Sequence, residues 1–161
     1  MRRWVAIASA VLAVGFTLRA AAVVDPQWTI ADVKRGATEI AAVIERRLDY
    51  ATTYRFARGV LEKSVQSGKD TRGFRLGAEL AITHWLARLP PDTSWRPKAL
   101  ARHRDVTHWI AKESPLPLRD VAHVVAVGVG IASDEEGWLL GVLQGEPGMP
   151  LGRHATPGAA Q

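Results

Sequence analysis

The chain has 161 residues, 47% apolar and 23% charged, a balance that suits one folded domain and excludes a disordered polyelectrolyte. It contains no cysteine, which excludes disulfides, thiolate metal sites, cysteine nucleophiles and thioether-attached haem. The net charge of +5 invites a nucleic-acid reading, but Arg2, Arg3 and Arg19 lie in the N-terminal leader, and residues 25–161 hold 18 basic against 16 acidic side chains. What remains is uneven: residues 34–104 carry 15 basic and 7 acidic groups, whereas residues 105–161 carry 3 and 7. Halves of opposite sign can attract each other within one fold or present a positive face to phospholipid headgroups or an acidic partner. Arginine outnumbers lysine 16 to 5 and alanine is abundant, a bias of GC-rich, bacterial genomes.

Residues 1–24 read as a membrane-directed leader. Met1-Arg2-Arg3 precedes fifteen uncharged residues, Trp4 to Leu18, then Arg19 and the small apolar run Ala20 to Val24. Two readings fit. As an uncleaved anchor, Trp4 to Val24 is a helix of roughly 31 Å, which matches a hydrocarbon core of about 30 Å, and Arg19 snorkels at its outer end. As a signal peptide, Ala20 and Ala22 satisfy the small-x-small pattern and cleavage follows Ala22. Both keep Arg2 and Arg3 in the cytoplasm and send the body outside, because the positive flank stays in. The expectation is a single pass through a bacterial inner membrane with a periplasmic body, or a periplasmic protein released near Ala22.

The body, residues 25–144, reads as mainly α, a small helical bundle. Apolar residues recur at Ile30, Val33, Ala37, Ile40, Ile44, Leu48 and Ala51, the spacing of one buried helical stripe. The pattern continues through Tyr54, Ala57 and Leu61 to about Val65, with Thr52-Thr53 and Gly59 as points of interruption and Gly68 as the stop. Gly36, Ala37, Ala41 and Ala42 are small enough for close helix packing. A second helix spans Phe74 to Leu89, with Leu76, Leu80 and Trp85 or Ala87 inward, and Pro90-Pro91 ends it. A third starts near Pro97, behind Ser94, and runs to Glu113 before Pro115 and Pro117. The segment Val121 to Leu143 is ambiguous between a pair of helices and a β-hairpin, because its β-branched runs are too short for periodicity to decide. Gly145 to Gln161, rich in glycine and proline and without periodicity, reads as a disordered tail.

The most specific internal feature is a near-repeat offset by 24 residues: Ile82-Thr83-His84-Trp85-Leu86-Ala87-Arg88 and Val106-Thr107-His108-Trp109-Ile110-Ala111-Lys112. The plain reading is that two helices end alike, each tryptophan in the core and each histidine partly exposed beside it. The functional reading makes His84, Trp85, His108 and Trp109 a ligand site, with the imidazoles facing each other to hold a metal or non-covalent haem, and His103, Asp105 and Glu79 as further donors. Within the third helix, Asp105 precedes His108 by three residues and could hold it.

Other signatures are weak. Gly128-Val129-Gly130-Ile131-Ala132-Ser133 begins like a dinucleotide loop but has Ser133 where a third glycine belongs. Glu39, Glu45, Glu62 and Glu79 fall in amphipathic helices among arginines, as solvated ion pairs do, so no glycosidase acid stands out. The aromatic and basic run Tyr50, Tyr54, Arg55, Phe56 and Arg58 could stack on nucleic acid, but an export signal argues against that partner. The expected role is a non-enzymatic accessory or scaffolding subunit of an envelope complex, its partners the lipid bilayer and another membrane or envelope protein, with no nucleic acid. The alternatives are a glycan or peptidoglycan hydrolase and a histidine-ligated haem or metal protein. Intact-mass measurement of the mature chain is expected to retain residues 1–24; a mass that begins at Val23 would instead establish cleavage.

Overall fold

The computed structural model describes residues 25–131 and 133–146. The expected leader and most of the expected tail lie outside the described residues. Six α-helices follow one another: α1 (Ile30–Ile44), α2 (Tyr50–Gln66), α3 (Arg72–Arg88), α4 (Arg96–Lys112), α5 (Leu118–Val129) and α6 (Glu136–Gln144), with a 3-10 turn at Ser133–Glu135 before α6. Among the described residues there is no strand, and no helix is long and apolar enough to cross a membrane.

Helix α1 starts where Thr29 caps it, its hydroxyl accepting from the Asp32 amide at 3.1 Å. Its stripe is buried as the spacing predicts, with Val33, Ala37 and Ile40 fully inside. The helix does not continue into α2. It ends after Ile44 in a tight turn in which Arg46 and Arg47 donate to the Val43 and Ile44 carbonyls and Arg47 adopts a φ of 52°. Asp49 then caps α2, its carboxylate accepting from the Thr52 amide at 2.9 Å. The interruption falls at an aspartate cap rather than at Thr52-Thr53 or Gly59, because a capping side chain satisfies the first amides of a new helix. Gly68 stops α2 as expected: at φ 67° it lets Lys69 donate back to the Ser64 carbonyl at 3.0 Å.

Helix α3 is the centre of the bundle and touches α1, α2, α4, α5 and α6. It is buried on all sides, with Phe74, Leu76, Ala78, Leu80, Ile82 and Leu86 at 0% exposure. The inward set of Leu76 and Leu80 is correct but covers only one flank. Gly73, Gly77 and Ala81, four residues apart, form a smooth second flank on which α1 lies. A Cβ at Gly77 would overlap the Val33 carbonyl oxygen, and one at Gly36 the Phe74 carbonyl oxygen. The α1 and α3 backbones therefore meet directly through facing glycines, an approach that larger residues would hold apart.

Helix α4 returns along α3. Arg96 donates to the Leu86 and Ala87 carbonyls, both at 2.8 Å, and so satisfies the C-terminal end of α3, while Arg72 pairs with Glu113 at the opposite ends. The ambiguous segment Val121 to Leu143 forms helices α5 and α6 rather than a hairpin. Val121, Ala122, Val125 and Ala126 line one face of α5 and are buried, so tertiary burial outweighs the strand preference of the valines. In α6, Trp138, Leu139, Val142 and Leu143 are buried. Helix α2 is the lightest attachment: it buries only Thr53, Ala57, Leu61 and Ser64.

Replacing Gly77 with alanine is expected to destabilise the fold by about 1–3 kcal/mol, as overpacking does. Gly59→Ala, in open space on α2, is expected to be neutral or to stabilise by about 0.5–1 kcal/mol. Paired denaturant titrations measure both.

Candidate functional site

The near-repeat is visible in three dimensions, but its members separate. Thr83 and Thr107, equivalent positions of the two copies, meet at the α3–α4 crossing with their hydroxyl oxygens 3.3 Å apart. The histidines and tryptophans do not follow. His84 is buried at 5% exposure, Trp85 is half-buried, His108 is half-buried and Trp109 is 62% exposed. The expectation of two core tryptophans beside two partly exposed histidines fails because α3 is central and α4 peripheral. The same sequence step therefore faces different surroundings.

His84 and His108 also attach to opposite ends of one helix. His84 Nε2 lies 2.9 Å from Glu135, just before α6. His108 donates from Nδ1 to the Leu143 carbonyl at 3.1 Å near the far end, instead of being held by Asp105. Eight residues of helical rise separate those partners by roughly 12 Å. Among the described residues, no group of three or more histidine or carboxylate side chains is placed to hold a metal ion. Gly128 lies in the last turn of α5, packing on Ala37, and Gly130 caps that helix, so neither follows a strand as a dinucleotide loop requires.

The chemistry-bearing residues gather instead in two buried clusters. In the first, His103 of α4 is bonded through Nδ1 to Glu79 of α3 and through Nε2 to the Tyr54 hydroxyl of α2 at 2.9 Å. His103 and Glu79 are 4% and 5% exposed, so Glu79 is an internal partner and not the solvated ion-pair carboxylate its amphipathic setting suggests. A carboxylate only accepts, so Nδ1 carries hydrogen; in the neutral imidazole, Nε2 then accepts from the tyrosine. The Tyr54 ring stacks on Trp95 at 5.0 Å.

Carboxylate, imidazole and hydroxyl form one hydrogen-bonded chain across α3, α4 and α2. Burial pushes the Tyr54 hydroxyl above its ordinary pKa, a rise that Glu79 adds to and that Arg58 and Arg102 oppose. A phenol held neutral is not an activated nucleophile. The arrangement works as a clamp joining three helices.

In the second cluster, Glu135 accepts from His84 and from Arg88 Nη1 at 2.8 Å, while Trp138 sets its ring at 70° to the His84 imidazole with centroids 6.0 Å apart. It fastens α3 to the start of α6. Nothing in the sequence ties Tyr54 or Glu135 to a histidine. The partnership of Glu79 with His103 does have a signal, because each lies one turn before a repeat threonine and the two share the offset of 24 residues.

Beside Tyr54, between α2 and the start of α4, lies an open groove of about 500 Å³ lined by Ala51, Tyr54, Ser94, Trp95, Lys98, Ala99 and Arg102. No family model matches the chain, and neither a curated protein nor a solved structure matches it significantly.

Glu79→Ala is expected to cost about 3–5 kcal/mol, since it leaves a buried partner alone, and Tyr54→Phe about 1 kcal/mol. The folded Tyr54 holds its proton more tightly than the ordinary tyrosine pKa of 10.0, so its contribution is complete below pH 10 and is lost as pH rises through the folded value. The stability gap between wild type and Tyr54→Phe, followed by urea denaturation between pH 8 and 11.5, is expected to narrow above pH 10.

Proposed function

We propose that this chain is a non-enzymatic accessory or scaffolding subunit of a bacterial envelope complex, held at the membrane by residues 1–24 with its helical body outside the cytoplasm. The observation that carries the reading is where the reactive side chains go. Glu79, His103, His84 and Glu135 are all nearly buried and tie helix to helix, so they serve rigidity rather than a reaction centre. A hydrolase would need two carboxylates flanking a cleft with one kept as an acid; Glu62 and Glu79 do line one pocket, but Glu79 is bonded to His103 and Glu62 to Arg58. A haem or metal reading would need its histidines together, and His84 and His108 grip opposite ends of α6.

A rigid bundle with a large aromatic side chain left on its surface suits partner binding, because exposed tryptophans are frequent anchors at protein interfaces. Trp109, 62% exposed on α4, is the first candidate. A photo-crosslinking amino acid at position 109 of the full-length chain, installed in native membranes, is expected to give one discrete protein adduct that the same probe at exposed Lys63 does not. Trp109→Lys is expected to abolish co-purification of that protein while leaving the helical circular dichroism unchanged. Absence of the adduct, together with cell-wall clearing by the purified chain, would sink the reading.

A further inference from the structure

The groove beside the Tyr54 clamp has the makings of a ligand site. Its volume of about 500 Å³ falls inside the range of roughly 300–1,000 Å³ usual for small-molecule pockets. Its walls are apolar: the methyls of Ala51 and Ala99, and the rings of Tyr54 and Trp95, stacked 26° from parallel. The wall is also held in place. Tyr54 cannot swing freely, because its hydroxyl is bonded to His103, itself fixed by Glu79, and a preformed wall lowers the entropy lost on binding.

The charges in the groove are of one sign. Lys98 and Arg102 line it one helical turn apart on α4, no carboxylate lines it, and among the described residues neither cation makes an ion pair. Like charges four residues apart on a helix repel each other, and an anion between them would turn that repulsion into two attractions. We infer that the groove binds a planar aromatic anion, its ring on the Tyr54–Trp95 wall and its carboxylate or phosphate between Lys98 and Arg102.

Calorimetry on the full-length chain in nanodiscs, blanked against empty nanodiscs, tests this with 2-naphthoate, 2-naphthyl phosphate and neutral 2-naphthamide. At least one anion is expected to bind at least tenfold more tightly than the amide, and the preferred anion identifies the head group. Lys98→Glu combined with Arg102→Glu, both on exposed side chains, is expected to lose that tenfold with circular dichroism unchanged. Trp95→Ala is expected to weaken anion and amide alike. Equal binding of anion and amide, indifference to the double charge reversal, or no heat at millimolar anion would overturn the assignment. Tighter binding of dodecanoate than of 2-naphthoate would overturn its aromatic part.

Discussion

The fold depends on the direct contact of two helix backbones. Gly36 on α1 and Gly77 on α3 face carbonyl oxygens of the other helix with no room for a Cβ, and this sets how near the helices lie. With α1 this close, α3 is sealed on one flank without large side chains. Its large apolar side chains, Phe74, Leu76, Leu80, Ile82 and Leu86, are all fully buried. Close packing of this kind tolerates little change in volume, which is why the smallest residues sit at the busiest place in the molecule.

A helix enclosed on all sides must also account for its polar residues. Glu79, Thr83 and His84 are carried on α3 and are all buried, and each finds a partner on another element: His103, Thr107 and Glu135. Removing ions from water is expensive, and such pairs often add less stability than an apolar replacement would. Their directional bonds do specify register. A slip of α4 along α3 by one turn would leave Glu79 and His103 without each other, a penalty that a purely apolar seam would not impose.

Much of this was legible in the sequence, and the failures share a cause. The start of α1, the helix spans of α3 and α4, the stops at Gly68 and the paired prolines, and the Val33, Ala37, Ile40 stripe follow from spacing and capping rules that act within a few residues. The break before Asp49 is hidden because an apolar period continues across it by accident: Leu48 and Ala51 keep the spacing yet are exposed. In the near-repeat the histidines and tryptophans are the conspicuous residues. Its structural content lay in the threonines and in residues one turn earlier, which only the crossing of α3 and α4 brings together. Tyr54 and Glu135 sit 49 and 51 residues from the histidines they bond, beyond the reach of any local rule.

The slender seating of α2 shapes how the molecule moves. Its buried set, Thr53, Ala57, Leu61 and Ser64, includes one large apolar side chain, so little hydrophobic area holds it down and its local opening lies far below global unfolding in free energy. The Tyr54–His103 bond then acts as a latch on the most easily released segment of the bundle. One wall of the groove, the Tyr54 ring, rides on that segment, and its bond to His103 fastens that wall to α4.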